Sequence, residues 1–463
     1  AYESAETIGW FDTTGVFISE VSAAEDSEDG DWIELCNGSN EDVSLAGWYL
    51  SDDPAEPKKY PLTGVTIPAG GYITVQPGAK GEEGAFGISA SGEWILLTEP
   101  SGRTRDRFRS GYQRGGVTSG RIASDETAGR VFFTKATKAA ANTAERYAGY
   151  TEEPYLSDRS LYHDEPFTVS LNCTAADAEI YYTTDGSLPG EQSARYTGAI
   201  TITGNTAIRA VAISDGLLAS NEACATYLFT EPHTVPVVCV TADPAELKEI
   251  IQTTDRAYKS EYRADFAFYD EDGVLSARFV AGLRAKGRSM LKYTQKSFSV
   301  SLRERYGQSS VSFPFFEDSD IVTYSAFSLR SGGQDRGRSR LRDSYFSRLA
   351  EDLNIENFKT RVVALYLNGT YYGVFDLNEE QDESYLASHY GADENNVDIV
   401  SRNDEVKAGS AEDFLRVRAF ARTQDLSDDG VFAQFAEWVD VDYFTDYLVF
   451  RSFKTCLSAN LSD

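Results

Sequence analysis

Cations of the kind that bind oxyanions are concentrated between Arg284 and Arg348. That segment holds 13 Lys or Arg against 6 Asp or Glu, a local charge of +7 in a chain of 463 residues with a net charge of −30. Clustered cations focus potential and attract anions. The planar fork of arginine suits phosphate oxygens. Gly332, Gly333 and Gly337 lie among these cations and would let backbone amides approach an anion. A helix is expected directly afterwards, because Leu341, Tyr345, Phe346, Leu349 and Leu353 fall on one helical face. Ser339 is placed to cap it, which would add the positive helix end to the site. On charge alone two readings stand: a phosphate or nucleotide site, or a solvated basic surface that balances acidic neighbours. The glycine run is neither a Walker A loop nor a GxGxxG fingerprint, so it does not decide between them.

The remaining composition narrows the class. The length suggests roughly three domains. With 27 Tyr, 26 Phe and 37 Gly, the chain leans toward β structure. A pI near 4.5 argues against general nucleic-acid binding and against polybasic membrane docking. No apolar run approaches the ~20 residues of a spanning helix. The sequence begins at Ala1 and its single Met is Met290, which suggests a processed or cut product whose signal peptide has been removed. Cys36, Cys173, Cys224, Cys239 and Cys456 are too widely spaced for a CxxC zinc site. Cys173 and Cys224 could pair or stand as two buried thiols. His163, His233 and His389 give no metal spacing.

Along the chain, residues 13–115 read as short strands separated by Gly, Pro, Asn and Asp turns. Residues 116–152 are rich in Gly, Ser, Thr and Ala and read as a linker. A second β unit spans 153–230, with Glu179–Thr183 running into an Asp185-Gly186 turn. From Val235 the texture becomes mixed. A helix starts at Pro244, Asn368-Gly369 makes a hairpin turn, and helices are expected near 382–390, 411–423, 428–438 and from Asp442. The fold class is therefore multidomain: two all-β sandwiches followed by an α+β unit over 235–463.

Short words in a fixed order carry three resemblances. Ile18-Ser19-Glu20-Val21, Asp31-Trp32-Ile33-Glu34-Leu35 and Leu45-Ala46-Gly47-Trp48-Tyr49-Leu50-Ser51-Asp52 resemble a lamin tail domain, an immunoglobulin-like sandwich. Asp31, Glu34 and Asp52 could form an ion site there, or serve as turn caps and solvated strand ends. Ile180-Tyr181-Tyr182-Thr183-Thr184-Asp185-Gly186-Ser187-Leu188-Pro189 resembles the accessory sandwich of chitobiases and fibronectin-associated modules. Exposed coplanar aromatics there would support carbohydrate attachment. Gly287-Arg288-Ser289, Gln295-Lys296-Ser297-Phe298, Ser331-Gly332-Gly333-Gln334-Asp335 with Arg342-Asp343, and Tyr372-Gly373-Val374-Phe375-Asp376-Leu377-Asn378-Glu379 resemble the CotH family of spore-coat-associated atypical kinases.

That last resemblance implies ATP- and Mg²⁺-dependent transfer of phosphate to Ser or Thr of extracytoplasmic or coat proteins, by a secreted or cell-surface protein. It implies Lys296 as the phosphate-anchoring lysine and Glu379 as its ion-pair partner. Arg338 and Arg342 become further phosphate ligands one helical turn apart, and Asp463 the acceptor-side carboxylate. The metal-binding carboxylate is expected beyond Asp463, which would make the kinase-like unit incomplete. The alternative is a non-catalytic cell-surface or matrix-binding protein built on a degenerate kinase-like scaffold.

Overall fold

The computed structural model describes residues 12–23, 30–78, 82–123, 129–255, 257–287, 289–335, 337–353, 355–401 and 404–460. In the first unit, strands Val16–Ser22 and Trp32–Asn37 lie in the middle of a six-stranded sheet. Alternate residues Ile18, Ile33 and Leu35 face a four-stranded sheet and pack with Leu50, Ile95, Leu97 and Phe108. Each is almost completely buried.

The segment expected as a linker, 116–152, is part of this sheet. Thr118–Gly120 pairs with the Val16–Ser22 strand, Val131–Phe133 pairs with Thr118–Gly120, and Arg146–Tyr147 closes that edge. Three buried residues, Val131, Phe132 and Phe133, anchor it. Such a short apolar run among Ala, Gly and Thr carries no visible period.

The second unit is a small sandwich whose main sheet orders Ala194–Arg195, Glu179–Thr183, Thr206–Ile213 and Ala223–Tyr227. Tyr182 meets Tyr196 edge-on at 78°, and the Tyr181 hydroxyl donates to Glu179. These rings form no flat platform for a sugar. Cys173 and Cys224 are free thiols.

The third unit is built on a closed seven-stranded barrel. Its strands, in spatial order, are Val237–Ala242, Tyr262–Tyr269, Leu275–Lys286, Ser297–Ser301, Ala326–Arg330, Thr370–Glu379 and Thr360–Leu367. The last of these pairs in parallel with the first, and closure leaves no free edge. Phe266, Phe268, Phe279, Phe298, Phe327 and Phe375 fill the interior. The hairpin turn falls at Asn368 and Gly369, with φ of 47° and 76°, as a two-residue primed turn requires. Helix α1 is Pro244–Gln252, α2 Arg342–Leu349, α3 Glu383–Tyr390, α4 Glu412–Thr423, α5 Asp429–Ala436 and α6 Val441–Asn460. Asp243 caps α1 through the amides of Ala245 and Glu246. Among the described residues, no helix is long and apolar enough to cross a membrane.

Candidate phosphate-binding cleft

The strand Ala326–Arg330 crosses the barrel wall between Ser297–Ser301 and Thr370–Glu379. Its last residue, Arg330, lies opposite Asp376, and its second, Phe327, lies opposite Glu379. Lys296 precedes the neighbouring strand near the Arg330 end, where the Ser297 hydroxyl meets Ser331. Glu379 is therefore four strand positions along and two strands across from Lys296, on the order of 15 Å. The expected Lys296–Glu379 ion pair is not formed.

Each of the two residues has other partners. Lys296 is 2% exposed. Its ammonium donates to the Leu291 carbonyl and its backbone amide to the Tyr372 hydroxyl, at 3.0 Å. Burial pulls its pKa below the ordinary lysine range. Glu379 accepts from the Lys359 amide at 2.7 Å and lies 3.1 Å from His389 Nε2. The neighbouring Glu380 takes Lys286 instead.

The glycine loop also differs from expectation. Gly332 and Gly333 do adopt positive φ, 81° and 53°. However, α2 begins only at Arg342, with Leu341 in the cap position and no side-chain cap. Arg338 thus lies outside the helix, on an exposed loop, and Arg342 is its half-buried first residue. Ser339 donates to Asp335 at 2.6 Å, and the same Asp335 oxygen lies 3.4 Å from the Arg342 amide. The loop's own carboxylate thus stands where an anion at the helix start would stand. On the expected apolar face only Phe346 is buried; Leu341, Tyr345, Leu349 and Leu353 are exposed. Asp463 lies outside the described residues.

A different set of side chains converges. Arg330 pairs with Asp343 in the first turn of α2 at 2.7 Å, and Lys454 of α6 approaches the other Asp343 oxygen at 3.7 Å. Ser344 donates to Asp376 at 2.6 Å. Burial pushes the Asp376 carboxyl up, against the Ser344 hydrogen bond that favours its ionised form. Arg330, Asp343, Glu356, Arg451 and Lys454 all line a cleft of about 330 Å³ between the barrel and α6. Phe346 against Phe450, with ring centroids 6.1 Å apart, and the Tyr443 hydroxyl on the Glu356 amide hold α6 across it. A guanidinium fixed by a carboxylate at the mouth of such a cleft can receive phosphate oxygens. Asp343 and Asp376 stood in the sequence words quoted above, but the convergence of Arg330 with Asp343 depends on how α2 folds back on the barrel. The spacing alone does not show that.

Among the ion-site candidates of the first unit, Asp31 accepts from the Ile88 amide and Asp52 pairs with Lys59. Both act as local caps and surface pairs.

Family models match in three places: a lamin tail domain over residues 11–112, a chitobiase/β-hexosaminidase C-terminal domain over 161–224, and a CotH kinase protein over 283–455. The chain carries these three units in that order. The CotH match starts partway round the barrel, whose first strand begins at Val237. No curated protein matches the chain. Among solved structures, the fibronectin(III)-like modules of Clostridium thermocellum CbhA are similar at 11% identity. That likeness covers 46% of this chain and 93% of theirs, with a TM-score of 0.14. Murine CEACAM1b is similar at 10% identity over 46% of this chain and 100% of its own, with a TM-score of 0.15. Scores this low carry no argument.

Proposed function

We propose that the CotH unit binds ATP in the cleft between the barrel and α6 and transfers its terminal phosphoryl group to Ser or Thr of other proteins, outside the cytoplasm or at a cell surface. The observation that carries this reading is the Arg330–Asp343 pair, which joins a barrel strand to the following helix at the mouth of the cleft. Kinase-type phosphoryl transfer places a cation on the phosphates and holds it with a carboxylate from a neighbouring helix. Arg330 takes that place here, with Arg451 and Lys454 adding positive charge from α6. Arg338 and Arg342 remain in the proposal as further cations on the loop and first turn leading to Asp343. Lys296 would have to release the Leu291 carbonyl to reach a phosphate. Asp463 is retained as the acceptor-side base.

Magnesium neutralises phosphate charge in this chemistry. Among the described residues, no three His, Cys, Asp or Glu side chains converge as a metal site. Asp343 and Asp376 are also engaged by Arg330 and Ser344. So engaged, these two carboxylates leave no open metal site among the described residues.

The test is binding of a non-hydrolysable ATP analogue to the 463-residue chain by calorimetry, followed by transfer of labelled phosphate to a mixture of coat or surface proteins. Saturable binding that weakens with added salt is expected. Absence of nucleotide binding would favour the scaffold reading, in which the CotH unit only holds partners.

A further inference from the structure

The outer face of the first sandwich carries two buried carboxylates that the cleft does not use. Glu20 and Glu34 lie directly opposite each other on adjacent strands, beside a bulge between Ile18 and Glu20. Each is 0% exposed. They are covered by the connection 134–145 between the strands Val131–Phe133 and Arg146–Tyr147 at the sheet edge, which lies over the sheet as a strap and outside the lamin tail match.

The strap is bound through Glu20 and closes over Glu34. Thr137 gives both its amide and its hydroxyl to one Glu20 oxygen, at 3.2 and 2.9 Å, and Thr118 gives its hydroxyl to the other. Asn142 donates to the carbonyls of Ser19 and Arg121. Lys138 lies 5.1 Å over the fully buried Trp32 ring. Between these contacts Ala139 takes a left-handed φ of 58°, which turns the strap over Glu34. Both Glu34 oxygens are buried without a hydrogen bond of good geometry. The Ser19 hydroxyl and the Ala139 and Ala140 amides are close enough to favour its ionised form, but burial outweighs them and pushes the carboxyl up to about 7, with the Glu20 charge acting in the same direction.

Two carboxylates at one buried position cannot both ionise cheaply. We propose that Glu20 and Glu34 share one proton, and that this proton latches the strap onto the first sandwich. The other titratable groups facing the pair are Lys138 from the strap, Cys36 beside Glu34 on the same strand, and Tyr72 on the neighbouring strand. Lys138 draws Glu20 toward its ionised form. Burial keeps the Cys36 thiol and the Tyr72 hydroxyl protonated, so neither adds charge.

The strands flanking the strap also reach the second unit. Phe132, Tyr147 and Tyr150 pack with Leu218, and the Ala148 and Thr151 amides donate to the carbonyls of Gly216 and Leu218. Loss of the proton therefore loosens the joint between the two sandwiches. The sign follows from the raised folded value. The latched state holds one proton more than the open state, so rising pH favours opening from the ordinary carboxyl range up to about 7, and no further above it.

Hydrogen–deuterium exchange of the whole chain, corrected for intrinsic pH dependence, tests this on fragments covering 131–142. Protection is expected to fall by up to about tenfold per pH unit below 7 and then to level off. Glu34→Gln should keep the strap protected at every pH and flatten the profile. Equal pH profiles in wild type and Glu34→Gln would overturn the proposal. Should that variant misfold, infrared spectroscopy of the wild type decides instead. A protonated-carboxyl band at pH 6 that disappears by pH 8.5 supports the shared proton, and its absence at pH 6 refutes it.

Discussion

Two clusters of arginine and carboxylate stand on opposite sides of the barrel, and they do different work. At the joint with the second sandwich, Glu222 accepts from Arg209 and from Arg263, the latter at 2.9 and 3.0 Å. Arg209 also donates to the Gly186 carbonyl, and Arg278 joins Asp265 to the Glu222 carbonyl. Side-chain exposure is 1% for Arg209 and 11% for Glu222. Burial alone would push the Glu222 carboxyl up, but the Arg263 and Arg209 charges more than reverse it and hold it below the ordinary range. The centre of this cluster is closed, Arg263 at its edge is 32% exposed, and Leu161, Leu228, Val237 and Tyr366 continue it as an apolar seam between the units. At the cleft, Arg330 and Asp343 are 37% and 29% exposed and face open volume. The same chemistry is therefore enclosed at its centre where Arg209 and Glu222 meet at the joint, and partly open where Arg330 and Asp343 line a cleft.

The strongest way to break that contrast is Glu222→Ala. It leaves the buried Arg209 and the half-buried Arg263 without their carboxylate and should cost about 3–5 kcal/mol, measured by urea unfolding of the whole chain. A loss below about 1 kcal/mol would place the joint on the same footing as a surface pair. Arg330→Ala should behave in the opposite way. Stability should stay within about 1 kcal/mol, as for exposed pairs, while affinity for the ATP analogue drops by about 1–3 kcal/mol, the range for a charged hydrogen bond.

Acid sharpens the comparison further. Because the Glu222 value is lowered on folding, its contribution is fully present above the unfolded carboxyl range and is lost as pH falls through the folded value. Urea midpoints of the wild type should fall on acidification below about pH 4.5, and Glu222→Gln should lack that component. The smallest effect is expected from Lys454→Ala. Its 3.7 Å approach to Asp343 is long and partly exposed, so stability should change by less than about 1 kcal/mol, and nucleotide binding should weaken chiefly at low salt.

Local signals were legible in the sequence where one residue dictates one conformation. Asn368-Gly369 specified its hairpin, and the six helices begin within a residue or two of their predicted positions. Non-local pairing was not legible. Lys296 and Glu379 seemed suited to each other, but the Ala326–Arg330 strand inserts between their strands and offsets them. The role of Asp335 as an internal anion was hidden because it depends on the loop curling back at Gly332. The strap was read as a linker because its apolar anchor is three residues long and its hydrogen bonds run to Glu20, more than a hundred residues earlier in the chain.

The claim that Arg330 is held by Asp343 to receive phosphate is tested most directly by a double-mutant cycle on nucleotide affinity. Calorimetry would compare wild type, Arg330→Ala, Asp343→Asn and the double variant at one salt concentration. If Asp343 acts only by positioning Arg330, both single variants weaken binding and the double variant binds no worse than Arg330→Ala. Unchanged affinity in Arg330→Ala, or losses that simply add, would contradict the account.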